Sequence, residues 1–114
     1  MTTHFIGVDG GGTHTRVLIA DEQGHDLATA SGGPSAVRPG SAAQSAKTIA
    51  QVVREGQAAF DGKRSTARML IVGVAGVGRD EERAALTDAL ERLDLAEETL
   101  VLPDAIIALE DAFG

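Results

Sequence analysis

The residues best suited to chemistry in this sequence form one short segment, Asp9-Gly10-Gly11-Gly12-Thr13-His14-Thr15. Glycines lack a Cβ atom, so their backbone N–H groups can approach an anion closely, and threonine hydroxyls add further donors. A carboxylate at the end of a strand, such as that of Asp9, can hold Mg²⁺ through water. The segment therefore has the parts of a clamp for nucleotide phosphates. A plain hairpin with a flexible glycine loop is the alternative interpretation.

Two cationic or titratable residues lie in or beside this loop. His14 and Arg16 are close enough in sequence to touch a bound phosphate. Residues at such positions more often form the solvated rim of a hairpin. We count His14 with the glycines and threonines as a candidate nucleotide contact and leave Arg16 open.

Other glycine-containing segments lack the context of a nucleotide-binding motif. In Gly56 to Arg64, Arg64 stands where a P-loop needs Ser or Thr to bind Mg²⁺, and no strand precedes the segment. A dinucleotide-binding fingerprint needs a helix after its glycines, whereas the β-branched run Thr15 to Ala20 follows Gly12. We therefore predict a helix end at Gly56 to Arg64 and no Rossmann-type site.

The glycine loop is predicted to connect two strands of an antiparallel meander. Short apolar or β-branched runs bounded by turn residues are typical of strands. Five such runs occur, at residues 4–9, 13–20, 25–30, 69–75 and 99–102. The fourth is apolar on both faces, as a central parallel strand should be.

Helical spacing of apolar residues follows the meander. Ser41 can cap a first helix with Gln44 as the partner of a capping box, and Asp61-Gly62 ends it. Its predicted buried stripe is Ala42, Ala46, Ile49, Val53 and Phe60. A second helix opens on Glu81 and Glu82 and buries Leu86, Ala89, Leu90 and Leu93. A third covers residues 105–113, which gives an α/β chain with a five-stranded mixed sheet in the order β-β-β-α-β-α-β-α.

This topology predicts where the chemistry lies. The two helical crossovers require the first, fourth and fifth strands to be parallel, so their C-terminal ends meet at one edge of the sheet. That edge carries Asp9 with its glycine loop, the segment 75–78 and Asp104. Ligand crevices of α/β sheets lie at such an edge.

Composition excludes several other classes. Seventeen Asp and Glu against ten Lys and Arg leave a formal charge of −7, and the basic residues are scattered, which argues against a nucleic-acid partner. The absence of cysteine excludes thiolate metal sites and disulfides. No apolar run approaches a membrane span and no leader pattern opens the chain, so we predict no membrane association and a cytoplasmic location.

Four segments in order resemble the start of the BadF/BadG/BcrA/BcrD-type ATPases, in their N-acetylglucosamine kinase-like branch. These segments are Phe5 to Thr15, Gly32 to Arg38, Gly73 to Gly76, and Leu102 to Ala105. The resemblance covers the whole chain and implies a ribonuclease H-like, actin-like ATPase fold. It also implies that residues 1–114 are the N-terminal half of such a protein, with the second half absent from this chain.

The resemblance also implies roles for individual residues. Asp9 and Gly10 to Thr15 match the loop that contacts the phosphates of ATP and Mg²⁺, with Asp9 toward the metal. Asp104 matches the catalytic base on the sugar hydroxyl, a role reasonable for a carboxylate at a strand end, although an Asp there also caps a helix well. The implied sugar-binding positions are Ser35, Ala36, Gly76 and Asp104. Family kinases usually have Asn where this sequence has Ala36, which leaves N-acetylglucosamine open as the substrate.

The sequence thus predicts phosphoryl transfer from ATP to a small sugar or amino sugar, such as glucosamine or N-acetylglucosamine, with this chain inactive alone. Its partners are the nucleotide, the sugar and its own missing C-terminal domain, and a homodimer is compatible with the sequence. Two alternatives stay open. One is an activating ATPase of the 2-hydroxyacyl-CoA dehydratase type, which the absence of cysteine weakly disfavours. The other is a non-catalytic sugar- or nucleotide-sensing module. Ala36 leaves this alternative open because it stands where family kinases usually have Asn.

Overall fold

In the computed structural model, which describes residues 3–37, 40–61, 66–74 and 80–102, five strands form one mixed sheet. The strands are β1 (His4–Gly10), β2 (Thr15–Asp21), β3 (Asp26–Gly32), β4 (Ala67–Val74) and β5 (Ala96–Leu102). Helix α1 (Ala42–Asp61) follows β3, and helix α2 (Asp80–Arg92) follows β4. The sheet order is β3-β2-β1-β4-β5. The predicted α/β fold with a five-stranded mixed sheet is therefore confirmed.

Strand directions agree with the predicted topology. β1 pairs with β2, and β2 with β3, in antiparallel register, whereas β1 and β4, and β4 and β5, are parallel. The C-terminal ends of β1, β4 and β5 consequently meet at one edge of the sheet. The predicted third helix, at 105–113, lies outside the described residues.

Several element boundaries differ from the prediction. β2 begins at Thr15 rather than Thr13, because the backbone N–H of Gly11 donates to the carbonyl oxygen of His14 at 3.0 Å and closes a turn. β5 begins at Ala96 rather than Thr99. The added residues include the exposed Glu97 and Glu98, which an edge strand tolerates because its outer side faces water.

The core lies between one face of the sheet and the two helices. Successive residues of β1 point to opposite faces, and Ile6 and Val8 are fully buried beneath the helices. Ile49 and Val53 of the predicted α1 stripe are likewise fully buried. The larger set packed in this cluster includes Val17, Ile19, Val52, Leu70, Val72, Leu86 and Leu90. Phe5, Gly7 and Asp9 therefore belong to the opposite face.

The segment Gly56 to Arg64, which superficially resembles a P-loop, is helical from Gly56 to Asp61. A Cβ atom on Gly56 would lie 2.9 Å from Cδ1 of Ile19. Glycine at this position therefore lets α1 approach β2 closely. The residue serves helix–sheet packing, as expected from the sequence.

Polar contacts fix both the buried and the exposed ends of the hairpins. Nε2 of the buried His4 lies 3.1 Å from Nε2 of Gln57, and the His4 ring makes an edge contact with Phe60. In the β2–β3 turn, the Asp21 carboxylate accepts the backbone N–H groups of His25 and Gln23. These bonds hold the pKa of Asp21 below its usual value, and the bond from the backbone of His25 has the largest effect.

Neither helix of the described residues combines the length and the apolar composition that a membrane-spanning helix requires.

Candidate functional site

The glycine loop is an open turn between β1 and β2. It consists of Gly11 to His14, and the residues from Gly12 to His14 are exposed. Thr13 Oγ1 and His14 Nδ1 lie 3.0 Å apart, so these two side chains are bonded to each other. Within the described part of the chain, the backbone N–H groups of Gly12 and Thr13 donate to no other group. Exposed, unengaged amides on a glycine turn are what an anion such as phosphate needs.

Two buried hydroxyl groups, those of Thr15 and Ser35, fix the position of this loop. Both are buried, and the Thr15 hydroxyl lies 2.6 Å from the Ser35 hydroxyl. The Thr15 hydroxyl also donates to the carbonyl oxygen of Gly33 at 2.7 Å. In this arrangement the two side chains tie β2 to the segment after β3, so they position the loop from within the fold.

The segment after β3 is also bonded to the loop through the backbone. The carbonyl oxygen of Gly11 accepts the N–H of Ser35 at 3.0 Å and that of Ala36 at 3.2 Å. The carbonyl oxygen of Ala36 in turn accepts the Ser45 hydroxyl of α1 at 3.2 Å. The proposed phosphate loop and the proposed sugar-binding positions 35 and 36 are therefore one hydrogen-bonded unit.

Gly10 makes this unit possible because there is no room for a side chain beside it. A Cβ atom at Gly10 would overlap the hydroxyl oxygen of Ser35 and lie 3.1 Å from Cγ2 of Val74. Moving Ser35 away would break its bond to the buried Thr15 hydroxyl. Gly10 is therefore required for packing of the loop, whatever its contact with a ligand.

We expect Gly10→Ala to lower the free energy of unfolding by about 1–3 kcal/mol, the usual cost of overpacking a filled site. Urea denaturation followed by circular dichroism measures it. Gly12→Ala is the matched control, because a Cβ there meets no atom within 4 Å and stability should stay unchanged. The double variant Gly10→Ala/Ser35→Ala lacks the overlapping oxygen. Its loss of unfolding free energy should therefore be smaller than the sum of the losses in the two single variants. Strict additivity, or a loss in Gly12→Ala as large as in Gly10→Ala, would contradict this packing role.

Asp9 lies at the edge of the opposite sheet face, half-buried and next to the loop. Its neighbours in register are Arg16 on β2 and Gly73 on β4, and Gly73 has no side chain to cover it. Asp9 and Arg16 line an open cavity of about 530 Å³ together with Thr29 and Ser31 of β3. The carboxylate is thus accessible beside the open turn.

Asp9 is suited to hold Mg²⁺ only together with ligands from outside the described residues. Within those residues, no group of three or more His, Cys, Asp or Glu side chains lies close enough together to bind a metal ion. Mg²⁺ commonly keeps several waters and takes one or two carboxylates plus phosphate oxygens. One accessible carboxylate next to a phosphate-binding turn fits that pattern.

Two predicted site residues, Gly76 and Asp104, lie outside the described residues. The strands that lead to them are placed, since β4 ends at Val74 and β5 at Leu102. In register, Asp9 pairs with Gly73, and Gly73 pairs with Leu102. The end of β5 is thus two strands away from Asp9, about 10 Å at the usual spacing between strands.

Sequence reasoning left unrecognised two features of this site. It did not identify the bond between Thr15 and Ser35, because these residues are far apart in the chain and neither carries a pattern that indicates the other. It left Arg16 open, although a turn of known length would have placed it opposite Asp9. The turn bounded by Gly11 and His14 fixes that pairing.

The strand order, the helices on one face and the glycine turn between the first two strands define an actin-like ATPase domain of the ribonuclease H-like type. The chain belongs to the BadF/BadG/BcrA/BcrD ATPase family, whose model matches residues 6–113. The resemblance seen in the sequence is therefore confirmed.

Two relatives are similar over most of the chain. The N-acetylmuramic acid/N-acetylglucosamine kinase of Clostridium acetobutylicum is 26% identical over 106 residues, which cover 93% of this chain and 35% of that protein. A crystal structure from Chromobacterium violaceum, provisionally named an N-acetylglucosamine kinase, is 27% identical with a TM-score of 0.68. That match covers 88% of this chain and 34% of the other. The chain thus spans about a third of the length of these relatives.

Proposed function

We propose that this chain is the N-terminal part of an ATP-dependent kinase that phosphorylates a small sugar or amino sugar. Membership of an ATPase family supports ATP as the nucleotide. The named activities of the two relatives support an amino sugar as the acceptor. In this proposal the rest of the nucleotide site belongs to a following domain, and the chain alone transfers no phosphoryl group.

The observation that carries the proposal is the row formed by Asp9, Gly73 and Leu102 across the sheet. The row places an accessible carboxylate and an open glycine turn at one end. At its other end is the strand that leads to Asp104. A nucleotide phosphate held at the turn and a sugar hydroxyl held near the end of β5 would then face each other across the bare backbone of Gly73.

Each group has a defined part in the transfer. The amides of Gly12 and Thr13 would bind phosphate oxygens, and Asp9 would hold Mg²⁺, which would offset the negative charge of the phosphates when ATP is bound. Asp104 accepts the proton of the sugar hydroxyl as the oxygen of that hydroxyl forms a bond to the terminal phosphorus of ATP. The bond from that phosphorus to the bridging oxygen breaks, and ADP is released.

The structure restricts what Ala36 can offer an acceptor sugar. Its N–H donates to the carbonyl oxygen of Gly11, and its carbonyl oxygen accepts the Ser45 hydroxyl, so both backbone groups already have a partner. The remaining methyl group can make only an apolar contact. We infer that polar recognition of the sugar depends on other groups, among them the proposed Gly76 and Asp104.

Steady-state assay of the full-length protein tests this function. With Mg-ATP, we expect phosphorylation of one or more of N-acetylglucosamine, N-acetylmuramic acid, glucosamine and glucose, measured as ADP release and as the sugar phosphate by mass spectrometry. The protein truncated at Gly114 is the control and should give no product. ATP hydrolysis that no sugar stimulates would favour an activating ATPase instead. Binding of ATP or sugar without turnover would favour a sensing module.

A further inference from the structure

Arg16 is the one permanently charged cation of the β1–β2 hairpin, residues 4–21, and it lies opposite Asp9. Directly paired residues on neighbouring strands project to the same face. Arg16 is exposed, lines the same cavity as Asp9, and pairs on its other side with Ser31 of β3. A guanidinium and a carboxylate thus share one accessible cavity beside the open glycine turn.

The guanidinium of Arg16 is unengaged in the described part of the chain. Arg68, Arg83 and Arg92 each form an ion pair with a carboxylate, whereas Arg16 forms none, even with the neighbouring Asp9. Arg54 is also unpaired, but it lies on α1, on the other side of the sheet. Arg16 is therefore the unpaired arginine that shares the cavity of the candidate nucleotide site.

A cation here would offset the negative charge of the site. The chain carries a net charge of −7, and Asp9 adds a negative charge where a triphosphate would bind. The side chain of His14, the other basic residue at the turn, is bonded to the Thr13 hydroxyl. A guanidinium can bind two phosphate oxygens at once, which an ammonium cannot do in the same fixed geometry.

We propose that Arg16 binds the terminal phosphates of the nucleotide, beside the Asp9 carboxylate that would hold Mg²⁺. This inference rests on the proposed nucleotide site and adds a phosphate contact to it. Arg16 then discriminates nucleotides by their phosphate number and has no part in sugar recognition.

Calorimetric titration of the full-length protein with Mg-ATP and with AMP tests the assignment. Arg16→Gln should weaken Mg-ATP binding by roughly 10- to 100-fold, the effect of losing hydrogen bonds to a charged group. It should leave AMP binding within about twofold, because AMP has no β or γ phosphate. Arg16→Lys should recover part of the ATP affinity, since it keeps the charge and loses the paired donors. Arg54→Gln, which removes an equal charge from α1, is the matched control and should leave both affinities unchanged.

The outcomes separate this inference from the proposed function. Equal weakening of ATP and AMP binding in Arg16→Gln, or no weakening beyond that in Arg54→Gln, would overturn the phosphate contact even if the wild type phosphorylates a sugar. ATP binding that depends on Arg16 in a protein that phosphorylates no sugar would uphold the contact and overturn the kinase function. A wild-type protein that binds no ATP would overturn both.

Discussion

In the proposed kinase reaction of the full-length protein, replacing Asp9 with asparagine is expected to lower kcat by about 10²- to 10³-fold, the usual effect of removing one preorganised charge contact from a reacting phosphate. Asparagine keeps the size of the side chain but loses the charge that would hold Mg²⁺. The side chain of Asp9 makes no hydrogen bond or ion pair within the described residues, so the free energy of unfolding should change by less than about 0.5 kcal/mol. Steady-state kinetics at several Mg²⁺ concentrations, with thermal denaturation in parallel, measure both quantities.

Asp26→Asn is the matched control for Asp9→Asn, because Asp26 is an exposed aspartate on the same sheet, at the start of β3. It should leave kcat and the Mg²⁺ requirement unchanged. A sharp fall in melting temperature in Asp9→Asn would show that the carboxylate has a structural role. Retention of most of the activity would remove Asp9 from the metal site.

Asp104→Asn is expected to lower kcat by about 10²- to 10⁴-fold, the range for loss of a general base. Nucleotide affinity should stay within about twofold, because the amide does not disturb the loop that binds the phosphates. Steady-state kinetics and nucleotide titration measure these effects.

A second variant separates the base from a helix cap. Asparagine caps a helix about as well as aspartate, so Asp104→Asn should leave stability unchanged, whereas Asp104→Ala should cost about 0.5–2 kcal/mol if the residue also caps. If Asp104 is the catalytic base, both Asp104→Asn and Asp104→Ala should therefore have a low kcat. Full turnover in Asp104→Asn on the best sugar would assign the residue to capping alone.

The elements could be predicted from the sequence because their signals are local. Ile49 and Val53 repeat with helical spacing, and both are buried in α1 as expected. Parallel pairing of the first and fourth strands also follows from the sequence, since a helix must cross between them. The positions of Asp9 and its glycine loop at the C-terminal edge of the sheet follow from that pairing.

The remaining features of the site depend on contacts between distant segments. The overlap that forces glycine at position 10 comes from Ser35, which is distant in the chain and carries no periodic signal. The start of β2 depends on the backbone bond that closes the turn from Gly11 to His14. Such bonds depend on backbone conformation, which hydrophobic spacing does not determine.

The carbonyl oxygen of Gly11 links the phosphate loop to residues 35 and 36 through their backbone N–H groups alone. A substitution at residue 36 that retains the N–H can keep this link, whereas proline there would remove it. Mutational drift can therefore change the side chain at the proposed acceptor contact without loosening the phosphate loop. Gly10 has no such latitude, because any side chain there meets Ser35. The same hydrogen-bonded unit thus contains one position that can accept other side chains and one that can accept none.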